Sequence, residues 1–356
     1  MDTGVLTLAE EPLWTTLWLR LPSAQRQPWL TPQWYALFES YGYGQACCFV
    51  YRDQLGTAIY PFLLNPIPEY LKGDNEDCFD IQGAPGYNGI GAVYEHPAFL
   101  QYFHLEFAEW CQQKRVVAEF SRCDPVSQNH KFFPAEAVFE VNRNVVVDLH
   151  QPKKIRSGYH RSTRKNIRKA QKEGLRVEMV PGGKATAEEI EIFTRIYLDT
   201  MERHQADQSW RFTREFFADA AQLLGDALLF YFTFDYATPV AAEMVVAGEE
   251  AAYSWLGGTL PSAFPKRPND LLKDEIIHNL AASDMKWYCL GGGMTPGDGI
   301  HRYKKTFALH GEMPFFIAKR IHMPLVYYEL VENWKSRYQA LVAKYSHRLL
   351  AYRETV

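Results

Sequence analysis

"ALLFYFTFDYATPVAAEMVVAGEEAAYSWLGG", residues 227–258, holds three strand-like runs, 227–234, 239–247 and 251–258, separated by the turns "DYAT" and "GEE". Connections this short join neighbouring antiparallel strands, because a parallel pair needs a crossover of about a dozen residues or more. An antiparallel sheet centre is therefore expected here. On the N-terminal side, "RVEMV" (176–180) reads as a strand and "PGGKA" as a turn. Thr186 and Glu189 then form a capping box ahead of Phe193, Ile196, Tyr197 and Met201 at helical spacing. A second helix begins near Thr213, carries Phe216, Phe217, Ala220 and Leu224, and stops at Gly225. On the C-terminal side, a helix over about 269–283 buries Leu271, Leu272, Ile276, Ile277 and Leu280. The strand "MKWYCL" (285–290), the loop "GGGMTPGDG" (291–299) and a strand pair at 305–309 and 314–318 complete the block.

The first 150 residues repeat part of this plan. A helix near 33–40 precedes strands at 45–53 and 57–64, joined across "QLG". After a long loop come "CFDIQG" (78–83), a helix near 98–113, and the strands "VVAEFSR" (116–122) and "NVVVDL" (144–149). At 356 residues the chain exceeds the size at which one core stops growing, roughly 250–300 residues. Apolar residues, 47% of the total, suffice for two cores. The expected class is α/β (α+β), with domains at 1–150 and 151–356, each a mixed, mainly antiparallel sheet flanked by helices.

Nothing in the first 21 residues has the basic and then apolar form of a secretory signal, and no stretch reaches the ~20 apolar residues of a membrane helix. A soluble, cytoplasmic protein is expected. Cys47, Cys48, Cys78, Cys111, Cys123 and Cys289 lack metal-binding spacing, and adjacent strand residues such as Cys47 and Cys48 face opposite ways. Reduced structural thiols and no metal are expected.

Charge is distributed unevenly. The window 153–176 holds ten bases against the single acid Glu173, in a chain of formal net charge -4. On a helix, Arg161, Arg164, Lys165, Arg168, Lys169 and Lys172 fall on one arc, opposite Thr163, Ile167 and Ala170. A solvated interdomain helix would ordinarily mix acids into such a face, because like charges at i,i+4 repel. An anion-binding role is the reading adopted, with tRNA phosphates, the pyrophosphate of a coenzyme or carrier, and anionic headgroups as the candidates.

"NRNVVVDL" followed by "YHRSTRKNIRKAQKEGLRV" resembles the segment opening the second domain of FemAB-like proteins. These form a branch of the GNAT acyltransferase superfamily that includes peptidoglycan-bridge aminoacyltransferases. "AYSWLGGT", "NDLLKDEIIHNLAA" and "YCLGGGMTPGDGIHRYKKTFA" follow in the family's order, and "FDIQGAPGYNGIG" and "EFSRCDPVSQN" are similar to its first-domain signatures. The resemblance implies two tandem GNAT-like domains and acyl transfer to an amine, in cell-wall precursor synthesis for the bridge enzymes. The helical arm that some bridge enzymes insert has no room between Arg176 and Thr259.

The resemblance also implies site residues. Lys304 of "YKKTF" matches the family lysine facing the acyl site, and Tyr87 of "GAPGYNG" matches a first-domain tyrosine that could contact acceptor. With an ordinary pKa of about 10.4, Lys304 would be a fixed cation for an oxyanion or phosphate, with Lys305 beside it. The "GGGMTPGDG" run fits neither a dinucleotide nor a Walker loop. It is either a plain turn or a strand exit at which Gly292 and Gly293 let backbone approach substrate. Asp298, His301 and Glu243 are the acid/base candidates. Glu243, in an apolar strand, needs a partner, and a buried pair with an arginine would serve equally well. Tyr253 and Trp255 share a strand face and either pack in the core or line an acceptor groove.

Tyr327, Val331, Trp334, Tyr338, Leu341, Tyr345 and Leu349 mark a long amphipathic C-terminal helix, expected to dock on the second domain. A dimer seam or a membrane-surface contact is the alternative. Taken together, the expectation is an enzyme without a tightly bound cofactor, drawing on aminoacyl-tRNA or acyl-CoA. Donor and amine acceptor would meet between the domains, and a membrane-linked precursor would be met peripherally. The rival from another class is a non-catalytic RNA- or membrane-surface-binding protein on the same scaffold.

Overall fold

A computed structural model describes residues 2–71 and 77–355; part of the long loop expected before residue 78 lies outside the described residues. The chain forms two compact units, Met1–Gln25 with Trp29–Val141 and Phe316–Val356, and Arg26–Pro28 with Asn142–Phe315.

The first unit starts with β1 (Asp2–Leu6), α1 (Glu11–Leu19), α2 (Pro32–Ser40), β2 (Gln45–Asp53), β3 (Gly56–Pro66) and β4 (Phe79–Gln82). It continues through β5 (Gly91–Tyr94), α3 (Ala98–Gln113), β6 (Val116–Arg122) and the start of β7 (Val138–Asp148). Strands β1 to β4 pair antiparallel in chain order, and β4 then pairs parallel with β6. Alternation along β2 and β3 sends Phe49, Tyr60 and Phe62 to one face, where α3 meets them with Phe103 and Phe107. That aromatic layer is the unit's core.

The second unit takes the end of β7 and adds α4 (Arg161–Lys172), β8 (Arg176–Pro181), α5 (Ala187–Arg203), α6 (Arg214–Leu224), β9 (Leu228–Asp235), β10 (Thr238–Ala247) and β11 (Ala251–Thr259). It ends with α7 (Pro268–Ala282), β12 (Trp287–Gly291), α8 (Gly299–Lys305) and the start of β13 (Glu312–Ile321). Strands β8 to β11 are antiparallel in chain order, and β11 pairs parallel with β12. Both units thus have four antiparallel strands followed by one parallel neighbour. Each closes with an antiparallel strand: in the first unit β13, through Ile317–Ile321, and in the second β7, through residues 145–148. The two units are therefore duplicates in strand topology.

The expected strands at 227–258 form as β9, β10 and β11, and the Thr186–Glu189 capping box opens α5. Three expectations are corrected. Residues 305–309 do not form a strand; Lys305 ends α8, whose N-cap is Asp298, and 306–309 follow it as a turn. The C-terminal helix is two helices, α9 (Pro324–Arg337) and α10 (Gln339–Tyr345), interrupted at Tyr338. These belong to the first unit, not to a domain at 151–356, because Leu330, Trp334, Tyr345 and Tyr352 bury themselves with Ile67, Leu71, Cys78 and Val117. The buried Asp80 carboxylate accepts from Arg353 Nε at 2.7 Å and from the Tyr352 hydroxyl at 3.2 Å, which fixes that tail.

All six cysteines are free and buried. Among the described residues, no helix is long and apolar enough to cross a membrane, and no cluster of His, Cys, Asp and Glu could hold a metal ion.

Candidate active site

The parallel pair β11–β12 defines the place. Pairing covers Ala251 to Tyr253 against Trp287 to Cys289, yet β11 runs on to Thr259 while β12 ends at Gly291. The strands part beyond Tyr253, leaving a notch where an extended chain could lie. The glycine run follows β12 directly. Gly291 has φ +75°, a conformation that suits glycine. A Cβ on Gly292 would come within 2.8 Å of the Arg143 carbonyl oxygen, and one on Gly293 within 2.0 Å of Asp298 Oδ1. At Gly292 and Gly293 the surroundings leave no room for a side chain.

Asp298 ties this loop to the start of α8. Its carboxylate accepts from the amides of Met294 (2.7 Å), Thr295 (3.2 Å) and His301 (2.8 Å), and these bonds, that of His301 first, hold its pKa below the usual carboxylate range. The expected acid/base candidate is thus occupied as a helix cap. His301 is buried, with Nε2 3.3 Å from Glu312 Oε1, and Lys305 pairs with Glu312 as well.

Lys304, on the last turn of α8, reaches back to the exit of β12 and donates to the Gly292 carbonyl at 2.7 Å. It is not the ordinary lysine expected. Burial, followed by the positive charge of Lys273, pushes its pKa down to about 8.

Glu243 has a lysine as its partner. Lys273 Nζ and the Tyr288 hydroxyl both donate to Glu243 Oε1, and Lys273 also donates to Ser254 Oγ at 2.8 Å. Glu243 and Lys273 are 4% and 5% exposed, so this ion pair is wholly internal. Burial lowers the Lys273 pKa against the opposing pull of Glu243, and burial raises that of Tyr288. Lys273, Tyr288 and Ser254 were not anticipated. A signal existed: Lys273 stands at i, i+3, i+4, i+7 with Ile276, Ile277 and Leu280, on the apolar stripe of α7.

Because side chains alternate along β11, Tyr253 and Trp255 face away from Ser254 and its network. Tyr253 is 1% exposed, and Trp255 packs 6.1 Å from the Phe216 ring and 6.4 Å from that of Phe212. Tyr87 belongs to the first unit.

The basic helix forms as read. Thr163, Ile167 and Ala170 are buried in α4, which packs on α7 with Asn166 donating to Asp270 at 3.2 Å. Arg164 is spent locally, on the carbonyls of Ser157 (3.0 Å) and Tyr159 (2.6 Å). Arg161, Lys165, Arg168, Lys169 and Lys172 are exposed and, among the described residues, make no ion pair. The start of α4 is tied beside Lys304, because His160 N donates to the Thr306 carbonyl at 2.8 Å and the Tyr159 and Phe307 rings lie 5.4 Å apart. One end of the positive stripe therefore adjoins the α8 lysine.

This architecture is a tandem GNAT-like fold. Residues 158–305 match the family model of the acetyltransferase (GNAT) domain. Among solved structures, FemX is similar over 93% of this chain and 100% of its own, with 12% identity and a TM-score of 0.65. A C-terminal domain designated putative lysylphosphatidylglycerol synthetase, from Agrobacterium fabrum, is similar over 94% of this chain and 97% of its own, at 12% identity and TM-score 0.56. A conserved protein of unknown function from Bacteroides thetaiotaomicron gives 8% identity and TM-score 0.56 over 90% of this chain and 100% of that one. No curated protein matches the chain in sequence.

Proposed function

We propose that this protein is an N-acyltransferase, carrying an aminoacyl or acyl group from an activated donor to an amine acceptor at the β12–α8 junction of its second unit. The acceptor nitrogen attacks the donor carbonyl, and negative charge builds on the carbonyl oxygen as the tetrahedral intermediate forms. The C–O bond to tRNA, or the C–S bond to a coenzyme, then breaks and the amine gives up its proton. An ammonium already fixed at that point stabilises the developing oxyanion without reorganising. Lys304 is that ammonium. With a pKa of about 8 it remains mostly charged at neutral pH.

The observation supporting this reading most directly is the Lys304 to Gly292 bond at the exit of the parted parallel strand. The Glu243–Lys273–Tyr288 network near it is a rigid support that sets the local charge. Two donors fit different features. The unpaired bases of α4, adjoining Lys304, favour a polyanion such as aminoacyl-tRNA, and the notch between β11 and β12 suits the slender arm of an acyl-coenzyme. A cell-wall precursor is an acceptor in keeping with the FemAB-like fold.

A thermal-shift comparison of coenzyme A with bulk tRNA decides the donor class. Stabilisation by one ligand, lost with Lys165→Gln/Arg168→Gln/Lys169→Gln for tRNA but retained for the coenzyme, supports the corresponding reading. Stabilisation by neither overturns both donors.

A further inference from the structure

The first unit has its own counterpart of this strand exit, and it is built differently. There the parallel pair is β4–β6, and its gap is filled by the unit's own loop 83–90. Gly83 N donates to the Phe120 carbonyl (3.1 Å) and Asn88 N to that of Arg122 (2.8 Å), so the loop continues the pairing. A second acyl-donor slot is therefore absent among the described residues of this unit. What the loop does instead is hold the half-buried side chain of Arg122, the last residue of β6.

Arg122 Nε donates to the Gly86 carbonyl at 3.0 Å and Nη2 to that of Ala84 at 3.4 Å. Its remaining N–H groups have no protein acceptor among the described residues, and no carboxylate pairs with it. Nearby Asp124 directs its carboxylate to the amides of Val126 and Ser127. The surroundings are aromatic: Phe120 has its centroid 5.8 Å from the guanidinium carbon, and Tyr35 and Tyr87 lie within its electrostatic reach. Burial accordingly pushes the arginine's pKa down. A half-buried guanidinium without a counter-charge is partly desolvated, and it has the planar fork that binds carboxylate or phosphate through two bonds.

The loop is rigid. Asn88 holds the loop through the Ala84 carbonyl (3.0 Å) and Arg122 N (2.7 Å), and Asn129 Nδ2 in turn holds the Asn88 carbonyl (3.0 Å). Gly86, at φ +102°, has no room for a Cβ, which would lie 2.6 Å from the Trp29 ring. Trp29 packs edge-on to Tyr87 at 5.8 Å, and Trp34 Nε1 donates to the Pro85 carbonyl at 3.1 Å. A pre-organised loop of this kind loses little entropy on binding a ligand.

We infer that Arg122, with Tyr87 at its side, forms an oxyanion-binding subsite in the first unit that takes a carboxylate or phosphate group of a substrate. The inference does not depend on acyl transfer, so it is tested by binding alone. Isothermal titration of the full chain with inorganic pyrophosphate and, separately, with N-acetylglycine distinguishes phosphate from carboxylate. Arg122→Gln weakens the preferred probe about tenfold or more, whereas Arg52→Gln, at an exposed base of the same unit, leaves it unchanged. Phenylglyoxal modification of the wild-type chain, mapped by peptide mass spectrometry, gives a second readout that needs no variant: the bound probe protects Arg122. Binding of neither probe, equal binding by Arg122→Gln, or unchanged Arg122 modification overturns the inference.

Discussion

The ammonium of Lys304 is held 2.7 Å from the carbonyl oxygen of Gly292. That bond uses one of its three N–H groups and leaves two for another acceptor. The charge is poised at the end of β12 by the fold itself, at a cost visible in its lowered pKa.

Replacing it separates function from stability. Lys304→Met lowers turnover by about a hundredfold or more, the typical effect of losing an oxyanion donor. The same substitution does not lower the melting temperature at pH 7, and differential scanning calorimetry shows it unchanged or raised, because a partly desolvated charge is removed.

The pH dependence has a definite sign. The Lys304 pKa falls from the ordinary 10.5 to about 8, so the ammonium is lost, and turnover declines, as pH rises through about 8. Lys304→Arg, which stays charged, removes that decline at a lower rate. For stability the folded pKa lies below the unfolded one, so the penalty for the charged form is full below about 8 and is relieved as pH rises toward 10.5. Wild type therefore gains stability relative to Lys304→Met over that window, measured by urea unfolding.

Breaking the buried pair in the second unit is severe. Glu243→Gln or Lys273→Met alone leaves an uncompensated group among apolar side chains and costs about 3–5 kcal/mol. The double variant Glu243→Leu/Lys273→Met costs less than the sum, and a double-mutant cycle in urea gives the coupling.

If aminoacyl-tRNA is the donor, tRNA binding falls steeply with salt. Neutralising Lys165, Arg168 and Lys169 together reduces the slope of log K against log salt by about 2–3, near 0.7–0.9 per contact. An unchanged slope removes the exposed face of α4 from the interface.

Trp334→Ala tests the return of the C-terminal segment to the first unit. The indole is 0% exposed, and its loss costs about 3–5 kcal/mol. Hydrogen exchange rises around Ile67, Leu71 and Val117, with which it packs.

Much of the architecture was legible because it is local. The short turns at 235–238 and 248–250 dictate the antiparallel run of β9, β10 and β11, and the period of Thr163, Ile167 and Ala170 dictates which face of α4 is buried. The candidate site was legible in part. Lys304, the glycine loop and the oddness of Glu243 could be read, but Lys273 was hidden within the stripe of α7. Asp298 looked like an acid/base residue when its position three residues before His301 makes it a cap. The helix it starts was missed for the same reason, and a strand was expected just beyond it.

The order of side chains along the chain was enough to set the two duplicated units, the antiparallel centre of each sheet and the positive face of one helix. These depend on periodicity and turn length, which act over a few residues. Which distant segment closes each sheet, which lysine neutralises Glu243, and how far Lys304 and Arg122 are stripped of water were decided only in three dimensions. Strand partners far apart in sequence, and the dielectric around a charge, depend on packing that no local pattern encodes.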